Sequence, residues 1–168
     1  MSPVTVRSYR PSDHSACRRL YAELNLQHNS MYDGNEKTGD GAEFEEYLTR
    51  LDLSGLWVAD HADDGVIGLV GLIMRGRGGE VEPVVVTASH RHKGIGRTLL
   101  RHVASEAKKR NMTSLTISPA SRNVDAIRSL HAAGYDVVSS IELTMNLDRH
   151  PGAYQQDGLE LHELQFRS

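Results

Sequence analysis

A strand, a basic turn with two glycines and a helix follow one another over residues 84–100, and this order constrains the fold more than any other stretch. The run Val84–Val86 is β-branched and apolar, as in a buried strand, and apolar residues recur at helical spacing from Ile95 onward. Gly94 and Gly96 lie in the turn, and their lack of a Cβ lets a ligand approach the main chain. Because the first turn of a helix carries N–H groups without an internal partner, the stretch predicts an anion-binding site suited to phosphate.

The spacing of the glycines excludes the two commonest phosphate loops. The sequence contains no Gly-x-x-x-x-Gly-Lys-Ser/Thr motif, and Leu99 stands where a dinucleotide fingerprint needs its third glycine. The turn instead reads Arg-x-x-Gly-x-Gly, starting at Arg91. The phosphate ligand therefore has to be identified from the rest of the chain.

Composition and charge exclude several classes of partner. The formal net charge of −3 argues against a general nucleic-acid binder, and no apolar run reaches membrane-spanning length. Cys17 is the only cysteine, so we expect a cytoplasmic protein without an internal disulfide. Residues 33–64 contain ten acidic and two basic residues, whereas residues 90–102 are basic and histidine-rich. The second region suits a polyanion; the first suits a cationic amine or is an ordinary solvated surface.

Hydrophobic periodicity predicts a single α/β domain over residues 4–148. Strands are predicted at residues 4–9, 56–59, 66–74, 80–87, 115–117, 135–138 and 141–147. Helices are predicted after Asp13, over residues 44–51, from Ile95 to about residue 110, and from Asn123 to Gly134. We expect a mixed, largely antiparallel sheet of about seven strands with helices on both faces. Pro83 cannot donate to a ladder, so its strand must be bulged, unpaired or at an opening in the sheet.

Three local patterns together carry a resemblance to a known family. The first is the Arg-x-x-Gly-x-Gly turn, and the second is the strand Glu-Pro-Val-Val-Val at residues 82–86 that runs into it. In the third, residues 123–135 read Asn-x-x-Ala-Ile-x-x-Leu-His-x-x-Gly-Tyr. These patterns and the element order resemble the GNAT superfamily of acyl-CoA-dependent N-acyltransferases. The third is similar to that family's Asn-x-x-Ala-x-x-Leu-Tyr-x-x-x-Gly-Phe helix, with one residue fewer before the glycine.

The resemblance implies that acetyl-CoA binds across the sheet as the acyl donor. Its pantetheine arm would lie beside the strand before the turn, and its pyrophosphate would contact the N–H groups of the turn. Arg91 would bind phosphate or shape the turn, and Asn123 would bind the cofactor, cap its helix, or do both. The implied cofactor-binding residues are Val84, Val85, Val86, Arg91, His92, Lys93, Gly94, Ile95, Gly96, Arg97, Thr98 and Asn123.

Acetyl transfer to an amine needs a base for the amine proton, a donor for the oxyanion and an acid for the departing thiolate. Glu82 is the base candidate, directly or through water; the alternative is a surface or hairpin-paired carboxylate. The N–H of Val85 or Val86 would stabilise the oxyanion. His131 stands where the resemblance implies a tyrosine general acid, and it either keeps that role or packs on its helix.

Metal and cysteine chemistry are not expected. His90 and His92 flank Arg91 without an adjoining cysteine or carboxylate, so no metal site is predicted. Cys17 falls mid-helix without an obvious base and is not a nucleophile candidate.

The sequence thus predicts an N-acetyltransferase that moves an acetyl group from acetyl-CoA to a small cationic amine or a peptide amine, by direct attack in a ternary complex. The alternative is a non-catalytic acyl-CoA-binding sensor or scaffold module. Residues 149–168 are expected to form a C-terminal extension, either an extra strand on the domain or an arm that makes a homodimer.

Overall fold

The computed structural model describes residues 3–32, 41–51, 55–145, 147 and 158–167. Its main sheet contains β1 (Val4–Ser8), β2 (Leu56–His61), β3 (Gly65–Arg75), β4 (Gly78–Val86) and β5 (Leu115–Thr116), side by side in that order. Neighbouring strands are antiparallel, except that β4 and β5 run parallel. The helices are α1 (His14–Tyr32), α2 (Glu43–Arg50), α3 (Ile95–Lys109) and α4 (Val124–Ala132), and a hairpin of β6 (Glu160–Leu161) and β7 (Leu164–Gln165) follows.

The described residues fall into two compact units, one within residues 1–27 and 37–118 and the other within 28–36 and 119–168. The first unit contains the main sheet with helices on both of its faces. On one face, apolar residues of α1 and α2 join those of the central strands in a single buried cluster, which includes Phe44, Tyr47 and Leu69. On the other face, the ring of His102 of α3 meets Trp57 edge-on at 5.3 Å.

The number of strands predicted for the central sheet was wrong. Five strands pair in the main sheet rather than about seven, because residues 135–138 and 141–147, as far as they are described, form no strand. Their apolar side chains alternate as in a strand but lie exposed, Val137 at 81% and Leu147 at 85%. Alternation alone does not make a strand, because each strand also needs a backbone partner for its ladder of hydrogen bonds.

A bulge interrupts β4 where Pro83 predicts one. Val84 pairs with Val70 and Val81 pairs with Leu72, so Glu82 and Pro83 together stand opposite Gly71. Two residues opposite one is the definition of a β-bulge, and bulges bend the strand and redirect side chains. The bulge therefore lies directly before the segment Val84–Val86.

The second unit contains α4, whose ends follow the sequence prediction. Asn123 caps the helix, because its side-chain oxygen accepts the N–H of Ala126 at 3.1 Å. At the other end, the N–H of Gly134 donates to His131 O and that of Tyr135 to Leu130 O. This pair of bonds is a Schellman motif, and Gly134 adopts the positive φ of 101° that it requires.

Among the described helices, none combines the length and the hydropathy that a membrane-spanning segment needs.

Candidate active site

The turn between β4 and α3 presents a row of unbonded main-chain N–H groups. His92 and Gly94 have φ angles of 61° and 80°, which turn the chain into the start of α3. The N–H of Thr98 donates to Gly94 O at 3.1 Å and makes the first hydrogen bond of the helix. Within the part of the chain that the structure describes, no hydrogen bond occupies the N–H groups of residues 92–97. A row of unbonded N–H groups at the N-terminus of a helix attracts an anion.

Both glycines of the turn leave space beside the main chain. No atom lies within 4 Å of the position that a Cβ on Gly94 would take, so its positive φ rather than crowding favours glycine there. A Cβ on Gly96 would first meet a methyl group of Val86, at 4.0 Å. The main chain of the turn is therefore accessible to a ligand.

Two basic side chains fold back onto the turn instead of pointing away from it. Arg91 Nε donates to Val86 O at 2.9 Å, and Lys93 Nζ donates to Ser89 O at 3.0 Å. Arg91 Nη2 also lies 4.0 Å from a carboxylate oxygen of Glu23. In this arrangement Arg91 shapes the turn, which is one of the two roles that the sequence left open.

Glu23 of α1 anchors the start of the turn, a role that the sequence analysis missed. Its carboxylate accepts the hydroxyl of Thr87 at 2.9 Å and the N–H of Ala88 at 3.1 Å. Glu23 precedes these partners by more than 60 positions, and no local motif marks it. The contact depends on how α1 packs, which hydrophobic periodicity does not specify.

One edge of β4 is open beside the turn. Gly79 and Glu80 pair with β5, but no described strand pairs with that edge from Val81 to Val86. Thr87 N donates to Ile67 O on the β3 side. Because hydrogen-bonded and non-hydrogen-bonded pairs alternate in an antiparallel ladder, Val85 also faces β3, and Val84 and Val86 direct their N–H groups to the open edge. Of the two oxyanion donors considered, only Val86 therefore has an available N–H group.

The bulge fixes the main chain of Glu82 through a buried tyrosine. The Tyr47 hydroxyl donates to Glu82 O, and the side chain of Tyr47 is fully buried. A Cβ on Gly71 would collide with both of these oxygens, so glycine on β3 makes room for the bond. The Glu82 side chain itself is 39% exposed, and a carboxylate oxygen lies 3.9 Å from Arg50 Nη2. Its carboxylate is thus held at the sheet yet reachable from solvent.

The negative charge of Glu82 raises the pKa of two buried tyrosines, Tyr21 of α1 and Tyr47 of α2. Burial raises the pKa of Tyr47, and the negative charge of Glu82 raises it further. The pKa of Tyr21 is raised by burial first and by Glu82 next, with smaller contributions from Glu43 and Glu46. Both phenols therefore remain protonated near neutral pH.

The structure also describes the other residues that the sequence analysis considered. Asn123 and His131 belong to the second unit, where Asn123 serves as a cap and the ring of His131 is exposed on α4. Cys17 is fully buried, and burial raises the pKa of its thiol to about 12, which makes it inert as a nucleophile.

Comparison with known proteins agrees with this geometry. A model described as the acetyltransferase (GNAT) family matches residues 16–135. Streptothricin acetyltransferase of Streptomyces lavendulae is 31% identical over 125 residues, which are 73% of this chain and 64% of that protein. The chain thus spans less than two thirds of this curated relative.

Solved structures share the fold. A GNAT-family acetyltransferase of Staphylococcus aureus Mu50 superposes with a TM-score of 0.63 at 19% identity, covering 86% of this chain and 95% of that one. The structure of yncA from Salmonella typhimurium, solved with its cofactor acetyl-CoA, has a TM-score of 0.62 at 25% identity and covers 79% of each chain. The family model covers more than half of the chain, so the match establishes the class of protein. The chain belongs to the acetyltransferase (GNAT) family.

Proposed function

We propose that this chain transfers an acetyl group from acetyl-CoA to a primary amine, either a small cationic amine or a peptide amine, by direct attack within a ternary complex. The observation that carries the proposal is the row of unbonded N–H groups at residues 92–97, placed next to the open edge of β4. A diphosphate with an extended, amide-containing arm matches both features. Membership of the GNAT family supports the same donor.

The cofactor-binding residues divide between the two features. The N–H groups of residues 92–97 bind the diphosphate, and the exposed charges of Lys93 and Arg97 add positive potential around it. The main-chain groups of Val84 on the open edge bind an amide of the pantetheine arm, and Val86 on the same edge keeps its N–H for the thioester oxygen. Thr98 closes the first turn of α3, and Asn123, the cap of α4, is the remaining cofactor-binding candidate.

Glu82 acts as the general base in this proposal. A protonated amine has no lone pair for attack, so the exposed carboxylate removes the proton directly or through a water molecule. The bulge supports this role because it holds the Glu82 main chain through Tyr47 while the side chain stays reachable. The N–H of Val86 stabilises negative charge on the thioester oxygen, and His131 protonates the departing thiolate.

The charge around Tyr21 supports a cationic acceptor. The carboxylates of Glu43, Glu46 and Glu82 act on Tyr21, against one nearby guanidinium, that of Arg50. Because α2, which carries Glu43 and Glu46, contacts Glu82 through Tyr47 and Arg50, this negative charge lies near the proposed base and attracts a cationic amine.

Two other acidic residues of the region 33–64 already pair with basic side chains of the protein itself. Asp60 binds Arg7 at 2.7 Å, and Glu45 lies 2.9 Å from His14 Nε2. The proposal therefore rests on the three glutamates and not on the total charge of residues 33–64.

The test combines coenzyme A calorimetry with an amine panel that follows free thiol release from acetyl-CoA. The panel includes streptothricin, which the curated relative is named for, and amino-terminal and lysine peptides. We expect binding of coenzyme A and turnover with at least one cationic amine. Neutralising Glu43 and Glu46 together should raise the acceptor KM and leave acetyl-CoA affinity unchanged.

Two results would contradict the proposal. Binding of acetyl-CoA without turnover on any amine would indicate a non-catalytic acyl-CoA-binding module, and no binding of coenzyme A would remove the donor itself. His131→Ala should lower kcat more than it raises the KM for acetyl-CoA, and a normal kcat would assign His131 no role in the transfer.

A further inference from the structure

Two histidines and an aspartate meet beside the start of the turn between β4 and α3. This turn is called the cofactor turn below, because we propose that coenzyme A binds there. His61 ends β2, Asp64 lies in the turn between β2 and β3, and His90 lies just before the Arg-x-x-Gly-x-Gly segment. Asp64 Oδ2 is 3.1 Å from His61 Nδ1 and 3.1 Å from His90 Nε2. The three atoms, two imidazole nitrogens and one carboxylate oxygen, all lie within 4.8 Å of one another. Asp64 is thus the carboxylate partner of His90 that the sequence analysis did not find.

Without an ion, the three atoms of the cluster take part in hydrogen bonds. His61 Nδ1 accepts the N–H groups of Asp63 and Asp64 at 3.3 and 3.2 Å, so this nitrogen carries a lone pair and the ring proton is on Nε2. Ser89 Oγ lies 3.0 Å from His90 Nδ1. His90 Nε2 donates to Asp64 Oδ2 at 3.1 Å when Ser89 donates to His90 Nδ1; when Ser89 instead accepts the Nδ1 proton, His90 Nε2 has a lone pair for an ion. An ion bound at the three atoms would take the place of the His90–Asp64 hydrogen bond and of the two long N–H contacts at His61 Nδ1.

The spacing of these atoms fits a transition metal. Zinc binds imidazole nitrogen and carboxylate oxygen at about 2.0–2.2 Å, which places tetrahedral ligand atoms roughly 3.3 Å apart. The two distances to Asp64 Oδ2, both 3.1 Å, are close to this value, and the two histidine nitrogens lie within 4.8 Å of each other. Ser89 supplies the outer hydrogen bond that commonly orients a metal-binding histidine.

The two histidines of the cluster are largely buried, whereas the aspartate is exposed. The side chains of His61 and His90 are 14% and 15% exposed, whereas Asp64 is 53% exposed. Asp64, Ser89 and His90 also line a cleft of about 220 Å³. The cleft provides an entry path for an ion and room for a water molecule as a further ligand.

We propose that His61, Asp64 and His90 bind one divalent ion of the zinc class. Bound there, the ion ties the β2–β3 turn to the segment that leads into the N–H groups at residues 92–97. Its role is to hold the cofactor turn in place, and this inference does not depend on which acceptor the protein acetylates.

The test measures Zn²⁺ binding to the full chain without coenzyme A, after removal of metal with a chelator and dialysis. We expect one Zn²⁺ per chain by calorimetry, and visible absorption from Co²⁺ bound in its place. Asp64→Asn, His61→Gln and His90→Gln should each weaken Zn²⁺ binding by about 100-fold or more, since loss of an outer partner alone costs about 10- to 100-fold. Ser89→Ala should fall in that smaller range.

Matched controls come from the same chain. Asp63→Asn makes the same charge change in the same turn and should leave Zn²⁺ affinity unchanged. His14→Gln removes a histidine that lies 2.9 Å from the Glu45 carboxylate without belonging to the cluster, and it should also bind normally. Circular dichroism of each metal-free variant establishes that it is folded.

A measurement on the unmodified chain covers the case of a variant that does not fold. On the unmodified chain, one equivalent of Zn²⁺ should displace bound Co²⁺ and abolish its visible absorption, whereas the same amount of Ca²⁺ should not. The proposal is overturned if the chain binds no Zn²⁺, if Asp63→Asn weakens binding as much as Asp64→Asn, or if the bound ion persists in His90→Gln.

Discussion

Replacement of Gly71 by alanine tests whether the packing behind the bulge positions Glu82. The added Cβ would fall onto the Tyr47 hydroxyl and the Glu82 carbonyl, which are hydrogen-bonded to each other. Overpacking in a core costs about 1–3 kcal/mol, and leaving a buried donor and acceptor unpaired costs about 1–3 kcal/mol more. We therefore expect Gly71→Ala to lower the free energy of unfolding by about 4 kcal/mol, which is the middle of that combined range.

A double-mutant cycle with Tyr47→Phe separates the two contributions. Tyr47→Phe alone removes the hydroxyl and should cost about 1–2 kcal/mol, because Glu82 O loses its donor. In the double variant the colliding hydroxyl is already absent. Its cost should therefore be smaller than the sum of the two single costs by about 1 kcal/mol or more.

The assay is urea unfolding followed by circular dichroism, with Gly76→Ala as the control. Gly76 has a φ of 58° and no atom within 4 Å of the Cβ position, so alanine there should cost only about 1 kcal/mol. Equal costs for Gly71→Ala and Gly76→Ala would refute the steric argument. Strict additivity of Gly71→Ala and Tyr47→Phe would refute the role of the hydroxyl.

Three further changes test the site and the scaffold. Glu82→Gln should lower kcat by about 10²- to 10⁴-fold in the amine assay with coenzyme A affinity unchanged, and a normal kcat would exclude it as the base. Gly94→Ala places a Cβ at positive φ and should cost about 1–2 kcal/mol in urea unfolding, together with weaker coenzyme A binding in calorimetry; unchanged affinity would count against the turn as the phosphate site. Asp13→Asn should cost about 3 kcal/mol at pH 7, because the buried carboxylate accepts two bonds from Arg7, at 2.8 and 2.9 Å. The hydrogen bonds from Arg7 lower the pKa of Asp13 in the folded protein. The stabilisation that Asp13 contributes is therefore complete above its unfolded pKa near 4 and is lost as the pH falls through the folded pKa. Acid unfolding that is equally steep in Asp13→Asn would contradict this.

Local sequence signals predicted the parts of the fold that depend on local chemistry. Gly94 and the apolar period after it marked the start of α3, since a positive φ and a helical stripe are both properties of short segments. Pro83 marked the bulge in β4 because a residue without an N–H cannot complete a ladder. Asn123 and Gly134 marked the two ends of α4, because each residue acts on backbone groups only a few positions away.

Features that depend on distant packing were not predictable in this way. The alternation from Tyr135 onward resembled a strand, but pairing requires a partner elsewhere in the chain, and none of the described residues supplies one. Glu23 reaches the cofactor turn only because α1 crosses beside it. His90 meets Asp64 across 26 positions of sequence, so neither residue alone indicated the cluster.

The unpaired stretch of β4 has a consequence for self-association. A free strand edge at the border of a sheet invites another molecule to add a strand and so begin aggregation. Here β5 pairs only with Gly79 and Glu80, so the vacant hydrogen-bonding positions from Val81 to Val86 remain on the border of the described sheet. An extended ligand with amide groups that occupies this border would also protect it from pairing with a strand of another molecule.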